Sequence, residues 1–492
     1  MTRNEYLSQI DAVIAAGPYS ADWASLTQHP TPQWYHRGKL GIFVHWGIYS
    51  VPAFGNEWYS RNMYNPARRE GQHHVATYGP QDRFGYKDFI PLFRGEHFDA
   101  DAWVGLFKRA GARYVMPVSE HHDGFAMYDT AFNRWNAARM GPCRDVMGGI
   151  KTACERQGLQ FCASNHRAEH YYFMNLGRLI SSDVNDPAYA DFYGPAVYRP
   201  DLDAANMSDT TETPSTQGPT EEWLTDWMVR ICEFIDNYQP KLIYFDWWIQ
   251  NYSFKPYLKK IAAYYYNRAH QWGREVSINY KREAFAPGAA TFDVERGALT
   301  GISPVPWQTC TAIGKNSWGY TRDNEFKSPR QIICDLIDIV SKNGMLLLNV
   351  GPRADGTITE EEPRVLLELG AWLEINGEGI YDTVPWKTFG EGSVNAESGF
   401  FMDGEEKPFT AEDFRFTYRD GNIYAFWMRP EGRTVRIRSM AAGGRYDFGI
   451  ESVRMLGEAA ALPFERDAEG LRLGLPAEVS PQRPVCFKIR LM

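Results

Sequence analysis

Short apolar runs rich in β-branched and aromatic residues recur through the first 350 positions: LGIFVHWG (40–47), RYVMPVSEH (113–121), LQFCASN (159–165) and LIYFDWW (242–248). EVSINYK (275–281), AATFDVE (289–295), PWQTCTA (306–312) and MLLLNVGP (345–352) continue the series to eight. Runs of this length and texture are what strands buried in a parallel sheet require.

Between them the apolar positions return at helical spacing, as in ADAWVGLFKRAG, CRDVMGGIKTACERQG, EEWLTDWMVRICEFIDNY, YLKKIAAYYYNRAHQWG and SPRQIICDLIDIVSKNG, several ending in the glycine that suits a helix C-cap. Alternation of this kind predicts an α/β fold, and eight strands predict a TIM-like (β/α)8 barrel. The pattern lapses between the fifth, sixth and seventh strands, where the connections are only about 7 to 10 residues and no helical run intervenes, so the barrel is expected to be irregular there.

After a last amphipathic run, EEPRVLLELGAWLEING, the chain changes to alternating segments broken by Asp-Gly and Gly-Gly: FRFTYRDGNIYAFWMRP, TVRIRSM, ESVRMLG and VCFKIRLM. These predict a C-terminal β-sandwich. The expected division is a catalytic barrel over 1–385 and the sandwich over 386–492, consistent with a 492-residue chain too long for one core.

Composition narrows the partners. A net charge of -9 without basic runs argues against a nucleic-acid ligand. No stretch of about 18 apolar residues predicts a membrane span, and the N-terminus lacks a signal-peptide apolar core, so the expectation is a cytoplasmic protein off the membrane. Seven dispersed cysteines fit reduced thiols. An aromatic content of 15% leaves flat rings to spare for stacking on sugar C–H faces. A homo-oligomer is left open.

In a (β/α)8 barrel the carboxyl ends of the strands form the active face. The runs place His45, His121 and His122, Asn165 and His166, Asp246, Lys281 and Glu295 there. Ionisable groups are rarely set at the inner rim of a core without a partner or a task. Asp246 in YFDWW could instead cap a helix or pair with a buried Arg, but WWIQNYSF does not read as a helix start. Glu295 in FDVERG could form a structural pair with Arg296. Two carboxylates on separate strands of one barrel can also act as nucleophile and acid/base in glycoside cleavage.

Two strings raise a metal. His166, Glu169 and His170 spell His-x-x-Glu-His, a zinc-peptidase signature that needs an established helix, whereas His166 directly follows a strand. In HHDGF, adjacent strand residues point to opposite faces and make a poor chelate. The alternatives to a glycosidase are a zinc metallopeptidase built on His166, Glu169 and His170, or a non-catalytic glycan-binding protein.

The chain resembles the α-L-fucosidases of glycoside hydrolase family 29 in GIFVHWGIYSVPA with NEWY, HHDGF, RDV, an Asp after the fourth strand, SWGY and VSKNGMLLLNVGPRADGTI, which run in order from about residue 34 to 385. The resemblance implies an irregular barrel followed by a β-sandwich, and metal-free, cofactor-free cleavage of terminal α-L-fucose with retention from a fucosylated oligosaccharide or glycoconjugate. By position it makes Asp246 the nucleophile and Glu295 the best match to the acid/base, with Glu283 and Glu275 weaker candidates. It implies fucose contacts from His45, Glu57, Trp58, His121 and His122. The chain departs from many members in having SNHRAEH, with His166, where they have Tyr-Tyr-Ser, in having Tyr244 where they have Trp, and in having Lys281 where they place an Arg. Lys offers one point charge in place of a planar fork.

Overall fold

A computed structural model describes residues 2–200, 218–446 and 448–492. The predicted strands appear as β1 (Leu40–Val44), β2 (Tyr114–Glu120), a third stave broken at Cys162 into β3 (Gln160–Phe161) and β4 (Ala163–Asn165), then β5 (Leu242–Phe245), β6 (Ser277–Tyr280), β7 (Thr291–Phe292), β8 (Trp307–Ala312) and β9 (Gly344–Val350). All are parallel, in the order β7-β6-β5-β4-β2-β1-β9-β8, with β3 on β2. A parallel bridge between Asp293 and Gln308 closes the ring, supported by the N–H of Val294 on the Gln308 carbonyl at 2.9 Å and that of Arg296 on the Cys310 carbonyl at 2.7 Å. The result is the expected (β/α)8-type barrel.

Side-chain alternation sorts each strand. Phe43, Met116, Cys162, Tyr244, Cys310 and Leu347 fill the barrel interior, while Ile42, Val44, Val115, Ile243 and Leu348 face the surrounding helices. Gly41 is required on β1 because a Cβ there would lie 2.1 Å from the Tyr114 ring that fills the barrel floor.

The helices Ala100–Arg109, Val146–Gln157, Glu221–Tyr238, Lys255–Trp272, Pro329–Ser341 and Glu361–Asn376 match the periodic segments. Asp99, Asp145, Thr220 and Ser328 cap four of them by accepting a backbone N–H, and Gly158 and Gly273 end two in the left-handed region. Among the described residues no helix lies between β6 and β7 or between β7 and β8, as the short connections predict.

Among the described residues the chain then forms eight antiparallel strands: β10 (Val384–Glu391), β11 (Phe414–Arg419), β12 (Asn422–Trp427), β13 (Thr434–Ile437), β14 (Ile450–Met455), β15 (Phe464–Asp467), β16 (Gly470–Gly474) and β17 (Val485–Leu491). A sheet ordered β10-β11-β12-β17-β14 faces a second ordered β13-β16-β15 across a core that includes Trp386, Phe416, Trp427, Leu471 and Phe487. This is the sandwich the alternating segments predict. The other face of the larger sheet lays Tyr424, Phe426 and Cys486 into the same core as the barrel helices.

Candidate active site

The strand ladder holds the chemical groups by their backbones. One residue past β1 the N–H of His45 donates to Val350 at 3.1 Å, one past β4 that of His166 donates to Glu120 at 2.8 Å, and one past β5 that of Asp246 donates to Asn165 at 3.2 Å. Each side chain is thus launched from a rigid rim toward the barrel axis.

They meet around a cavity of ≈ 340 Å³. Asp246, Glu295, His45, Glu57, Trp58, His121, His122, His166, Tyr244 and Lys281 all line it. Glu283 and Glu275 do not. Asn56, Asn62, Arg68, Trp247, Trp318 and Phe401 line it as well, and sequence reasoning left them out. Trp318 had a signal, since it stands in SWGY; Arg68 and Phe401 had none, because loops carry no periodicity.

Lys281 stands between the two acids. Its Nζ donates to Asp246 Oδ1 at 2.6 Å and to Glu295 Oε2 at 2.5 Å. The Asp246 Oδ2 faces His166 Nδ1 at 3.0 Å and His122 Nε2 at 3.4 Å. One buried cation can neutralise only one buried anion, so the two carboxyls part company. Burial pushes Asp246 up, but Lys281 and then His166 outweigh it and hold the carboxyl well below the usual range. At Glu295 burial outweighs Lys281, Asp246 adds to it, and the carboxyl is pushed up to about 7. Arg296 does not pair with Glu295: its guanidinium reaches the carbonyls of Gly314 and Lys315 and lies 4.6 Å from the centre of the Trp318 ring.

Burial lowers His45 and His121 far below the ordinary histidine value and His122 to about 3, so all three are neutral imidazoles near pH 7, able to donate and accept hydrogen bonds. His45 Nδ1 is fixed on Asn349 Oδ1 at 2.7 Å. Glu57 Oε2 accepts the Ser317 hydroxyl and the Trp318 N–H, each at 3.0 Å. Tyr244 forms the floor, with Lys281 Nζ 5.3 Å from its ring centre and its hydroxyl on Asp293 Oδ2 at 3.3 Å.

One expectation is corrected. His121 and His122 do not point apart: they lie beyond the end of β2, in a turn closed by the Gly124 N–H on the His121 carbonyl at 3.1 Å, and both rings face the cavity. Asp123 is the residue that turns away, accepting the Tyr86 hydroxyl at 2.8 Å.

The His-x-x-Glu-His string does not assemble, in keeping with its start directly after a strand. Arg167–Glu169 is a 3-10 turn and His170–Phe173 a single helical turn. His166 faces the cavity, whereas His170 binds the Phe192 carbonyl at 2.9 Å with its ring wedged against Gly124 and Gly194. Glu169 is fully buried between them, and burial, then Asp246, push its carboxyl well above the ordinary value. Among the described residues the side chains that could share a metal are His45, His121 and His166, or His122, His166 and Asp246. His170 belongs to neither group, so the geometry of a zinc peptidase is not formed.

A family model described as Alpha-L-fucosidase matches residues 6–378. Tissue alpha-L-fucosidase of Bos taurus is 31% identical over 383 residues, 76% of this chain and 74% of the relative. Alpha-L-fucosidase of Dictyostelium discoideum is 28% identical over 97% of this chain and 96% of its own. The crystal structure of Thermotoga maritima alpha-fucosidase in complex with fucose superposes with a TM-score of 0.74 at 28% identity, covering 96% of this chain and all of that one. With the barrel, the paired carboxyls and these relatives in agreement, this chain belongs to the α-L-fucosidase family and is a glycoside hydrolase.

Proposed function

We propose that the enzyme removes terminal α-L-fucosyl groups from oligosaccharides or glycoconjugates with retention of configuration, using Asp246 as nucleophile and Glu295 as acid and base. One observation carries the reading. Two oxygens bonded to the same Lys281 ammonium can lie no farther apart than about 5 Å, which is the carboxyl spacing of retaining enzymes and leaves no room for the water an inverting enzyme places between them. The charge states support the same roles, an ionised Asp246 and a Glu295 that keeps its proton until pH rises to about 7.

In the first step Asp246 attacks the anomeric carbon while Glu295 gives its proton to the departing glycosidic oxygen, leaving a fucosyl ester on Asp246. In the second, Glu295 takes a proton from water, whose oxygen attacks the same carbon and frees Asp246. His45, Glu57, His121 and His122 bind the sugar hydroxyls and Trp58 its apolar face, while His166 and Lys281 orient Asp246.

Glu295→Ala is expected to cost about 10²- to 10⁴-fold on natural glycans and far less on aryl fucosides with good leaving groups. Azide should rescue it to the α-fucosyl azide, and should convert Asp246→Ala to a producer of the β-azide. A chelator should leave the wild-type rate unchanged. Proton NMR of the first-formed sugar decides the stereochemistry: β-L-fucose as the initial product would sink the retaining mechanism, and fucose binding without turnover would sink the enzyme reading.

A further inference from the structure

One segment of the C-terminal sheets returns to the catalytic face. It joins β10 to β11 and lies along residues 295–300, over the corner of the barrel where the described residues form no helix and β7 is only two residues long. The Phe401 N–H donates to the Glu295 carbonyl at 3.0 Å, Met402 donates to Arg296, and Ala298 and Gly399 exchange N–H and carbonyl at 3.3 and 3.2 Å. Asp403 then accepts from Lys327 and Thr311 on the barrel. The segment therefore braces the backbone of the acid residue itself.

Phe401 is placed at a cost. Its φ of +57° puts a large side chain in the left-handed region that favours glycine, and 53% of the residue is exposed to solvent. The ring borders two hollows at once: the cavity that holds Asp246 and Glu295, and an adjoining one of ≈ 280 Å³ edged by Trp318, Arg296 and Asn316.

Position decides what the second hollow receives. If Glu295 protonates the glycosidic oxygen, everything beyond that oxygen lies on the Glu295 side of the site, where Phe401 and the Trp318–Arg296 stack stand. Aromatic faces offer the C–H side of a pyranose an apolar surface, and a planar guanidinium suits vicinal hydroxyls.

We propose that this second hollow is the leaving-group site, that it takes a pyranose ring of the glycan, and that Phe401, supplied by the C-terminal sheets, is its stacking platform and a determinant of specificity. The proposal rests on Glu295 as the acid.

The test compares wild type, Phe401→Ala and Phe401→Trp on two substrates: the fucosylated trisaccharide that wild type cleaves fastest, and methyl α-L-fucoside, whose leaving group needs the same proton from Glu295 but has no ring to stack. Binding energy from a remote ring appears in the transition state of the substrate that carries it, so Phe401→Ala should lose about tenfold in kcat/KM on the trisaccharide and little on the methyl glycoside. Phe401→Trp should keep the trisaccharide rate. An equal loss on both substrates would make Phe401 a brace for Glu295 only, and no loss on either would empty the site; both overturn the proposal. Failure of wild type on both substrates would instead bring down the assigned reaction, and this site with it.

Discussion

Lys281 controls how protons are shared between the two carboxyls, and its removal has a signed consequence. Activity requires Asp246 ionised and Glu295 protonated, so kcat/KM should fall as pH rises through about 7, where Glu295 loses its proton. Lys281 opposes protonation of both groups. Lys281→Met should therefore move the alkaline limb upward, because Glu295 keeps its proton longer, and move the acid limb upward too, because Asp246 gains one earlier. Profiles of kcat/KM against pH for the two enzymes check this; an alkaline limb that stays put or moves down would mean that Glu295 is not the titrating acid. The residues of this cluster were readable in the sequence because each stands just beyond an apolar run in a barrel pattern. Their partition into one ionised and one protonated acid was not, since it depends on a lysine 35 positions from one and 14 from the other in sequence.

The apolar runs overshoot the strands at their carboxyl ends, and the reason is chemical. LGIFVHWG reads on to residue 47 while β1 stops at Val44, and LIYFDWW to residue 248 while β5 stops at Phe245, because Trp46, Trp247 and Trp248 are buried in the loops of the active face. Hydrophobicity marks burial, and here burial continues after the ladder ends. Less readable was how the helix Pro329–Ser341 is joined to the C-terminal sheet. Its Asp338 is fully buried and accepts from Arg415 of β11 at 2.6 Å and from Lys342 at 2.9 Å. Burial raises this carboxyl, but Lys407, Arg415 and Lys342 together hold it well below the ordinary value. A depressed folded value contributes stability that is complete above the unfolded value of about 4 and is lost as pH falls toward the folded one. Arg415→Ala leaves Asp338 short of a partner in a dry site and should cost about 3 to 5 kcal/mol in urea unfolding at pH 7. The difference from wild type should shrink below about pH 4, as the carboxyl begins to take up a proton.

Domains joined by polar, modest interfaces move and melt separately, whereas a shared apolar core couples them. Here Tyr424, Phe426 and Met428 from the C-terminal half pack in one continuous core with Ile333, Leu366, Leu369 and Trp372 of the barrel helices. The Trp372 indole N–H donates to the Pro484 carbonyl at 2.7 Å, the Asp338–Arg415 pair spans the same boundary, and residues 398–403 lie on the strand-like backbone that carries Glu295. The weakest corner of the barrel is thus completed by chain that comes more than 100 positions later than β7. Two units that each finish the other should unfold as one. Heating followed by enzymatic activity, near-ultraviolet circular dichroism and calorimetry should give coincident midpoints, and Arg415→Ala should lower all three together. A calorimetric trace with two transitions, the earlier leaving fucosidase activity intact, would show the C-terminal sheets to be a separable appendage and would remove the physical basis for their part in shaping the site.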